Sequence, residues 1–208
     1  MLEDRRLFKT IRRAALALLA ASSVYAQQRS LREMVAVEGD LHRFIRVSVP
    51  PTSLRELLGE TDVVVRGIVG SNPVAYLSDD GTDVLTDYTI QNPQIIALVN
   101  RGTTTKAAGA IGPLTVTQFG GTVTVDGHQV SVDHVALPPL KAGTEAVFLL
   151  VRSGEKYRIV GKYLGVFAIE NGAVATLSLV GGVGVEQRGK ALNSFVSELK
   201  DTIRGLGR

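Results

Sequence analysis

The sequence predicts a mainly-β domain: a small antiparallel β-barrel with a short N-terminal helix and a packed C-terminal amphipathic helix. Three observations carry this. Short β-branched runs recur between residues 62 and 180, with turn residues between them. Asp126-Gly127 and Asn171-Gly172 each sit between alternating apolar stretches, the pattern of two-residue type I′ hairpins. Residues 191–206 change to spacings of three and four, which align Leu192, Phe195, Val196, Leu199, Ile203 and Leu206 on one helical stripe.

Taken in order, residues 27–40 are polar, with room for a turn or two of helix over 31–37. Residues 41–49 alternate and suit an edge strand, which Pro50-Pro51 stops because proline brings no N–H to a ladder. Together, 27–52 read as an N-terminal extension to a single domain over 53–208. Ser53 and Glu56 have capping-box spacing ahead of Leu54, Leu57 and Leu58, so a short helix is expected over 53–60. Residues 62–69 form a β-branched strand in which Gly67 marks a bulge. Strands follow over 74–77 and 84–91, with the polar turn 78–83 between them. Asn92-Pro93 is read as a break before a further strand over 94–99.

Residues 101–112, rich in Gly, Thr, Ala and Lys without periodicity, predict a surface loop. Strands over 114–118, 122–125 and 128–135 precede a proline-containing loop. Residues 145–151 then read as a buried central strand, followed by 156–160, 164–170 and 173–180. Gly181, Gly182 and Gly184 predict a flexible connection, and Asn193 is the expected N-cap of the last helix.

Residues 1–26 have the three parts of a secretory signal peptide. Arg5, Arg6, Lys9, Arg12 and Arg13 make a basic segment, and residues 14–21 an apolar one. Val24-Tyr25-Ala26 then places small residues at the −3 and −1 positions before Gln27. The apolar segment is far short of the ~20 residues a bilayer needs, so no transmembrane anchor is expected after cleavage. The expectation is a secreted or periplasmic bacterial protein. Sec is the expected route, although Arg5-Arg6 lies close to a twin-arginine signal. The chain has 23 basic and 20 acidic residues, and the signal holds five and two of them. The remainder is therefore balanced at 18 of each, which removes the basic footprint of a nucleic-acid binder.

The chain has no cysteine, which excludes disulfides, thiolate metal sites and a Cys nucleophile. His128 and His134 lie near Asp126 and Asp133, but a strand would hold the two histidines about 20 Å apart and place the aspartates on its opposite face. His42 is isolated. Asp79-Asp80-Gly81-Thr82-Asp83 resembles part of a calcium loop, yet position 87, six after the glycine, is Asp in a β context; weak calcium binding over 79–87 stays open. Gly181-Gly182-Val183-Gly184 lacks the Lys-Ser/Thr of a phosphate loop, and no nucleophile elbow or His-Glu-x-x-His helix occurs. No cofactor, metal or catalytic residue is implied.

Residues 61–67 (TDVVVRG), 86–90 (TDYTI), Gly120-Gly121, Gly143 before 147–150 (VFLL), and 163–167 (YLGVF) resemble a group of bacterial secreted small β-barrel proteins. Their layout is similar to the OB-fold barrel of netrin-like domains and tissue inhibitors of metalloproteinases. The resemblance implies an OB-type barrel. The inhibitors' zinc-chelating N-terminal Cys has no counterpart here, so that activity does not carry over.

The resulting expectation is an exported, non-enzymatic binding or envelope-associated barrel whose partner is a protein or a saccharide. Asp79, Asp80 and Asp83 in the 78–83 turn, Arg101 and Lys106 in the loop, and Tyr76 and Tyr88 are the candidate contact residues, with Tyr163 a further aromatic. Two alternatives stand: a hydrolase-like enzyme with Asp and His residues assembled by folding, and a protein-interaction or inhibitor module.

Overall fold

The computed structural model describes residues 29–45, 53–99, 112–134, 138–161, 164–176 and 183–206. The expected signal segment, residues 46–49 with Pro50-Pro51, the loop from 101 to 111 with Arg101 and Lys106, Tyr163, and Gly181-Gly182 lie outside them.

Local chemistry sets the short elements. Ser30 and Ser53 each accept a hydrogen bond from the backbone N–H three residues on, while Glu33 and Glu56 reach back to the serine N–H. These reciprocal boxes start α1 (Leu31–Glu38) and α2 (Leu54–Gly59). Both hairpin turns have the left-handed pairs that type I′ requires: Asp126 and Asn171 at φ 51°, followed by Gly127 at 86° and Gly172 at 75°.

The barrel is closed and OB-like. Its strands are β2 (Val63–Val69), β4 (Val84–Leu98), β5 (Leu114–Phe119), β8 (Glu145–Ser153) and β9 (Lys156–Ile159). Pairing runs β2–β4–β5–β9–β8 and back to β2. All these pairings are antiparallel except β5–β9, which is parallel and aligns Val116 with Tyr157 and Thr117 with Arg158. This one parallel seam departs from the otherwise antiparallel pairing that the sequence predicts. β3 (Val74–Leu77) pairs with β4, and β10 (Val166–Glu170) and β11 (Ala173–Thr176) extend the sheet beyond β8.

β4 is continuous where a break was expected. Fifteen residues at about 3.4 Å each would span roughly 50 Å if straight, so the strand must bend to serve a small barrel. Asn92, at φ 50°, and Pro93 together oppose the single Gly67 of β2. A second slip leaves Ile96 without an opposite residue. These bulges supply the bend and spare the ladder the missing proline N–H. Gly67 is obligatory there, because a Cβ would run into Ile90 Cγ2 and lie 3.1 Å from Gln91 O.

Alternation divides the core into layers. Val63, Val65, Tyr88, Ile90, Val116, Phe148 and Leu150 fill the barrel. Val64, Val147, Leu149, Phe167 and Ile169 face outward, under α2 and the C-terminal helix α4 (Leu192–Leu206), whose Leu192, Phe195 and Leu199 are buried. The amphipathic stripe therefore packs on the barrel, as its spacing predicts. Its start differs: Leu192 opens the helix, so Asn193 lies inside the first turn and does not cap it. The predicted flexible glycine connection also ends sooner, because Gly184 lies in a short helix, α3 (Val183–Gln187). No helix among the described residues is long and apolar enough to cross a membrane.

A second, smaller sheet carries β1 (Leu41–Ile45), β7 (His128–His134) and β6 (Gly121–Val125) in the order β1–β7–β6. β1 lies at its edge and runs parallel to β7. Its inner face joins Leu31 and Val35 of α1 and Val84 of β4 in a separate core with Val125, Val130 and Val132. Residues 29–45 are thus integral to this second layer.

Candidate functional site

The outer surface of β3, β4, β5 and β9 holds the best-organised polar group on the barrel. Register places Val74 beside Asp87, Asp87 beside Thr117, and Thr117 beside Arg158, one row across four strands. Outward alternation brings Tyr76 and Lys156 to the same surface. Asp87 is the hub. Its Oδ1 accepts hydrogen bonds from the Tyr76 hydroxyl at 3.1 Å and the Thr117 hydroxyl at 2.6 Å, and its Oδ2 accepts one from Lys156 Nζ at 2.6 Å. The same ammonium lies 5.0 Å from the Tyr76 ring centroid, within cation–π range.

The Asp87 side chain is 13% exposed and that of Lys156 46%. An acceptor so enclosed needs its donors, and the three side chains supply them. The hydrogen bond to Asp87 holds the Lys156 ammonium pKa above its ordinary value, against a smaller opposing effect of burial. Thr89, Arg158 and Val74 stand exposed around this group. The result is a rigid patch with a cation, hydroxyls, an aromatic ring and one apolar side chain.

The predicted contact residues scatter around it. Tyr76 belongs to the patch. Asp79 and Asp80 are exposed in the 78–83 turn, but the turn is folded on itself. Asp80 Oδ1 accepts from the Ser78 hydroxyl at 2.6 Å and the Thr82 N–H at 3.1 Å, and the Ser78 bond is the main reason its carboxyl is held below its ordinary pKa. Asp83 Oδ1 accepts from the Val84 N–H, and Gly81 O accepts from the Leu31 N–H at 2.7 Å. The turn is thereby docked on the start of α1. Tyr88 is corrected: it points into the barrel, 5% exposed, where burial pushes its phenol pKa up. Arg101 and Lys106 lie outside the described residues.

Sequence reasoning missed Thr117, Lys156 and Arg158, and weighed Asp87 only as a position of a calcium loop. A signal existed for Asp87, a charge on the alternate face of an otherwise β-forming run; its partners lie 11, 30 and 69 residues away and carried none. The parallel β1–β7 pairing also creates a contact that spacing did not show. His42 Nε2 lies 2.8 Å from Asp133 Oδ2, both about half-exposed, and the His42 ring packs 4.4 Å from that of Phe44. Asp126 and Asp133 do not join His128, which instead lies 3.4 Å from Asp40. Among the described residues no group of three or more His, Asp or Glu side chains could hold a metal ion.

On another wall of the barrel a cleft of about 270 Å³ opens beside the β2–β4 bulge, lined by Arg66, Gly67, Ile68, Asn92, Gln94 and Glu145. A void of only about 20 Å³ lies between barrel and small sheet, against Tyr88, Gln118, Val132 and Asp133.

No protein-family model matches this chain, and no curated protein matches it in sequence. The fold and its side-chain geometry therefore carry the functional reading.

Proposed function

We propose that this chain is an exported, non-catalytic binding protein of the bacterial cell envelope. It takes a saccharide chain on the outer face of β3, β4, β5 and β9. Barrels of this OB-like order bind oligosaccharides and oligonucleotides on the corresponding face, and the balanced charge outside the first 26 residues favours the former. The observation that carries the reading is the Asp87 network. It fixes Lys156 and Tyr76 before a ligand arrives, so little ordering cost remains to binding. Thr89 and Arg158, both exposed, add a hydroxyl and a guanidinium group suited to sugar hydroxyls. The export component rests on the signal-like order of residues 1–26.

Titration of the purified protein with N-acetylglucosamine oligomers tests the binding, followed by amide chemical shifts. Saturable shifts confined to residues 74–76, 87–89, 115–117 and 156–158, weakened in Lys156→Ala, are expected. Absence of shifts there sinks the saccharide reading. N-terminal sequencing of protein recovered outside the cytoplasm tests export, with a start at or near Gln27 expected and an intact Met1 opposing it.

The His42–Asp133 pair favours a second reading, a hydrolase-like enzyme, because an imidazole hydrogen-bonded to a carboxylate is an oriented base. Hydrolysis of p-nitrophenyl acetate that disappears in His42→Ala would support it over the binding reading.

A further inference from the structure

The cleft beside the β2–β4 bulge has the composition of a small-ligand site, and it lies on the β8–β2–β4 wall, away from the Asp87 patch. The β2–β4 bulge and a neighbouring ion pair build it. The bulge sets Asn92 and Pro93 against one residue, which turns Asn92 outward at φ 50°, a conformation that a non-glycine residue rarely keeps without support. Gly67 lies behind the cleft, where the lack of a Cβ lets β2 approach β4 closely; a Cβ there would press on Ile90 Cγ2 inside the barrel. Arg66 and Glu145 stand on neighbouring strands at the rim, with Arg66 Nε and Nη2 each 2.6 Å from Glu145 Oε1. Both side chains are 36% exposed, so the pair is open to a ligand while remaining oriented by its own contact.

The lining dictates the ligand class. Arg66 spends two of a guanidinium's five N–H donors on Glu145, so donors remain. Asn92 and Gln94 each bring an amide that both donates and accepts, and Glu145 adds acceptor capacity. The cleft carries one positive and one negative charge. An anionic ligand meets Glu145 and a cationic one meets Arg66, so a charged group gains from one and loses to the other. Groups that donate and accept at once, without charge, match both. At about 270 Å³ the cleft falls just under the ~300 Å³ at which pockets for drug-sized ligands begin, which limits the occupant to one small ring. We infer that this cleft binds a single neutral polyhydroxylated ring, a monosaccharide unit or a cyclic polyol. The inference stands apart from the Asp87 patch and does not depend on it.

The test is an amide-shift titration of the purified protein with glucose, N-acetylglucosamine and myo-inositol, each to about 100 mM, with glucosamine and glucuronate as charged counterparts. Saturable shifts at Gly67, Ile68, Asn92, Gln94 and Glu145, with Kd in the millimolar range, are expected for a neutral ring. Which neutral probe binds best separates a sugar source from a polyol source. Asn92→Gly removes the amide while keeping a residue suited to the positive φ, so it should fold normally and bind at least fivefold more weakly. Gln94→Ala should do the same. The inference is overturned if no neutral probe shifts these residues, if the charged probes bind as well, or if both variants keep wild-type affinity.

Discussion

Two walls of the same barrel are built on different principles. The β2–β8 wall is covered on both faces along residues 146–150 of β8, which are all fully buried, alternately inside the barrel and beneath α2 and α4. The β5–β9 wall is covered on one face. There β9 exposes Lys156 and Arg158, and the parallel seam carries only two aligned residue pairs among the described residues. Apolar packing from two sides holds the first wall. The second adds a side-chain network, in which Asp87 of β4 ties Thr117 of β5 to Lys156 of β9 across the closing seam. Where both faces are apolar, over residues 146–150, packing alone holds the strands; on the wet face polar cross-links do so, and those same cross-links make it the candidate recognition surface.

The contrast can be broken most sharply in the dry wall. Phe148 is fully buried in the barrel, and Phe148→Ala should cost about 3–5 kcal/mol, a large part of a typical domain's 5–15. Urea unfolding should show a much lower midpoint with little change in the Asp87 patch; a midpoint near wild type would mean the wall does not depend on double burial. Gly67→Ala comes next, at about 1–3 kcal/mol, because the new methyl meets Ile90 and the β4 backbone inside the bulge. Thermal unfolding measures it, and an unchanged Tm would show that the bulge can relax.

On the wet wall, Asp87→Ala should cost about 1–3 kcal/mol by stranding the buried Thr117 hydroxyl. Because Lys156 has its pKa raised in the folded state, its contribution is complete below the unfolded value of about 10.4 and disappears as pH climbs through the folded value. Stability measured across pH 9 to 12 should therefore fall in the wild type, with that component missing in Lys156→Met. Equal slopes in both would uncouple the seam from the ion pair. The smallest effect is expected on the second sheet. Phe44 is 67% exposed, and Phe44→Ser should change stability by no more than about 0.5 kcal/mol, so any larger loss in calorimetry would reveal packing at that edge.

Much of the architecture was legible in the chain because the rules involved act locally. The Ser53–Glu56 box, both type I′ turns, the Gly67 bulge, the buried 145–151 run and the stripe of α4 are set within a few residues or one helical turn. Asn92-Pro93 misled, since a proline that ends a ladder in isolation is tolerated when a bulge faces it. The candidate site was much less legible. Tyr76 was read from the chain, whereas Asp87 acquires meaning only beside Thr117 and Lys156.

The sequence by itself determined the β-rich class, the helices that begin at capping boxes, the hairpin turns and the balanced charge beyond residue 26. Only the tertiary structure decided the parallel closure of β9 on β5, the parallel entry of β1 beside β7, and the meetings of Asp87 with Lys156, His42 with Asp133 and Arg66 with Glu145. The reason is physical. Turn and cap energies depend on neighbours along the chain, while pairings across 69, 91 and 79 residues depend on how whole apolar faces are buried.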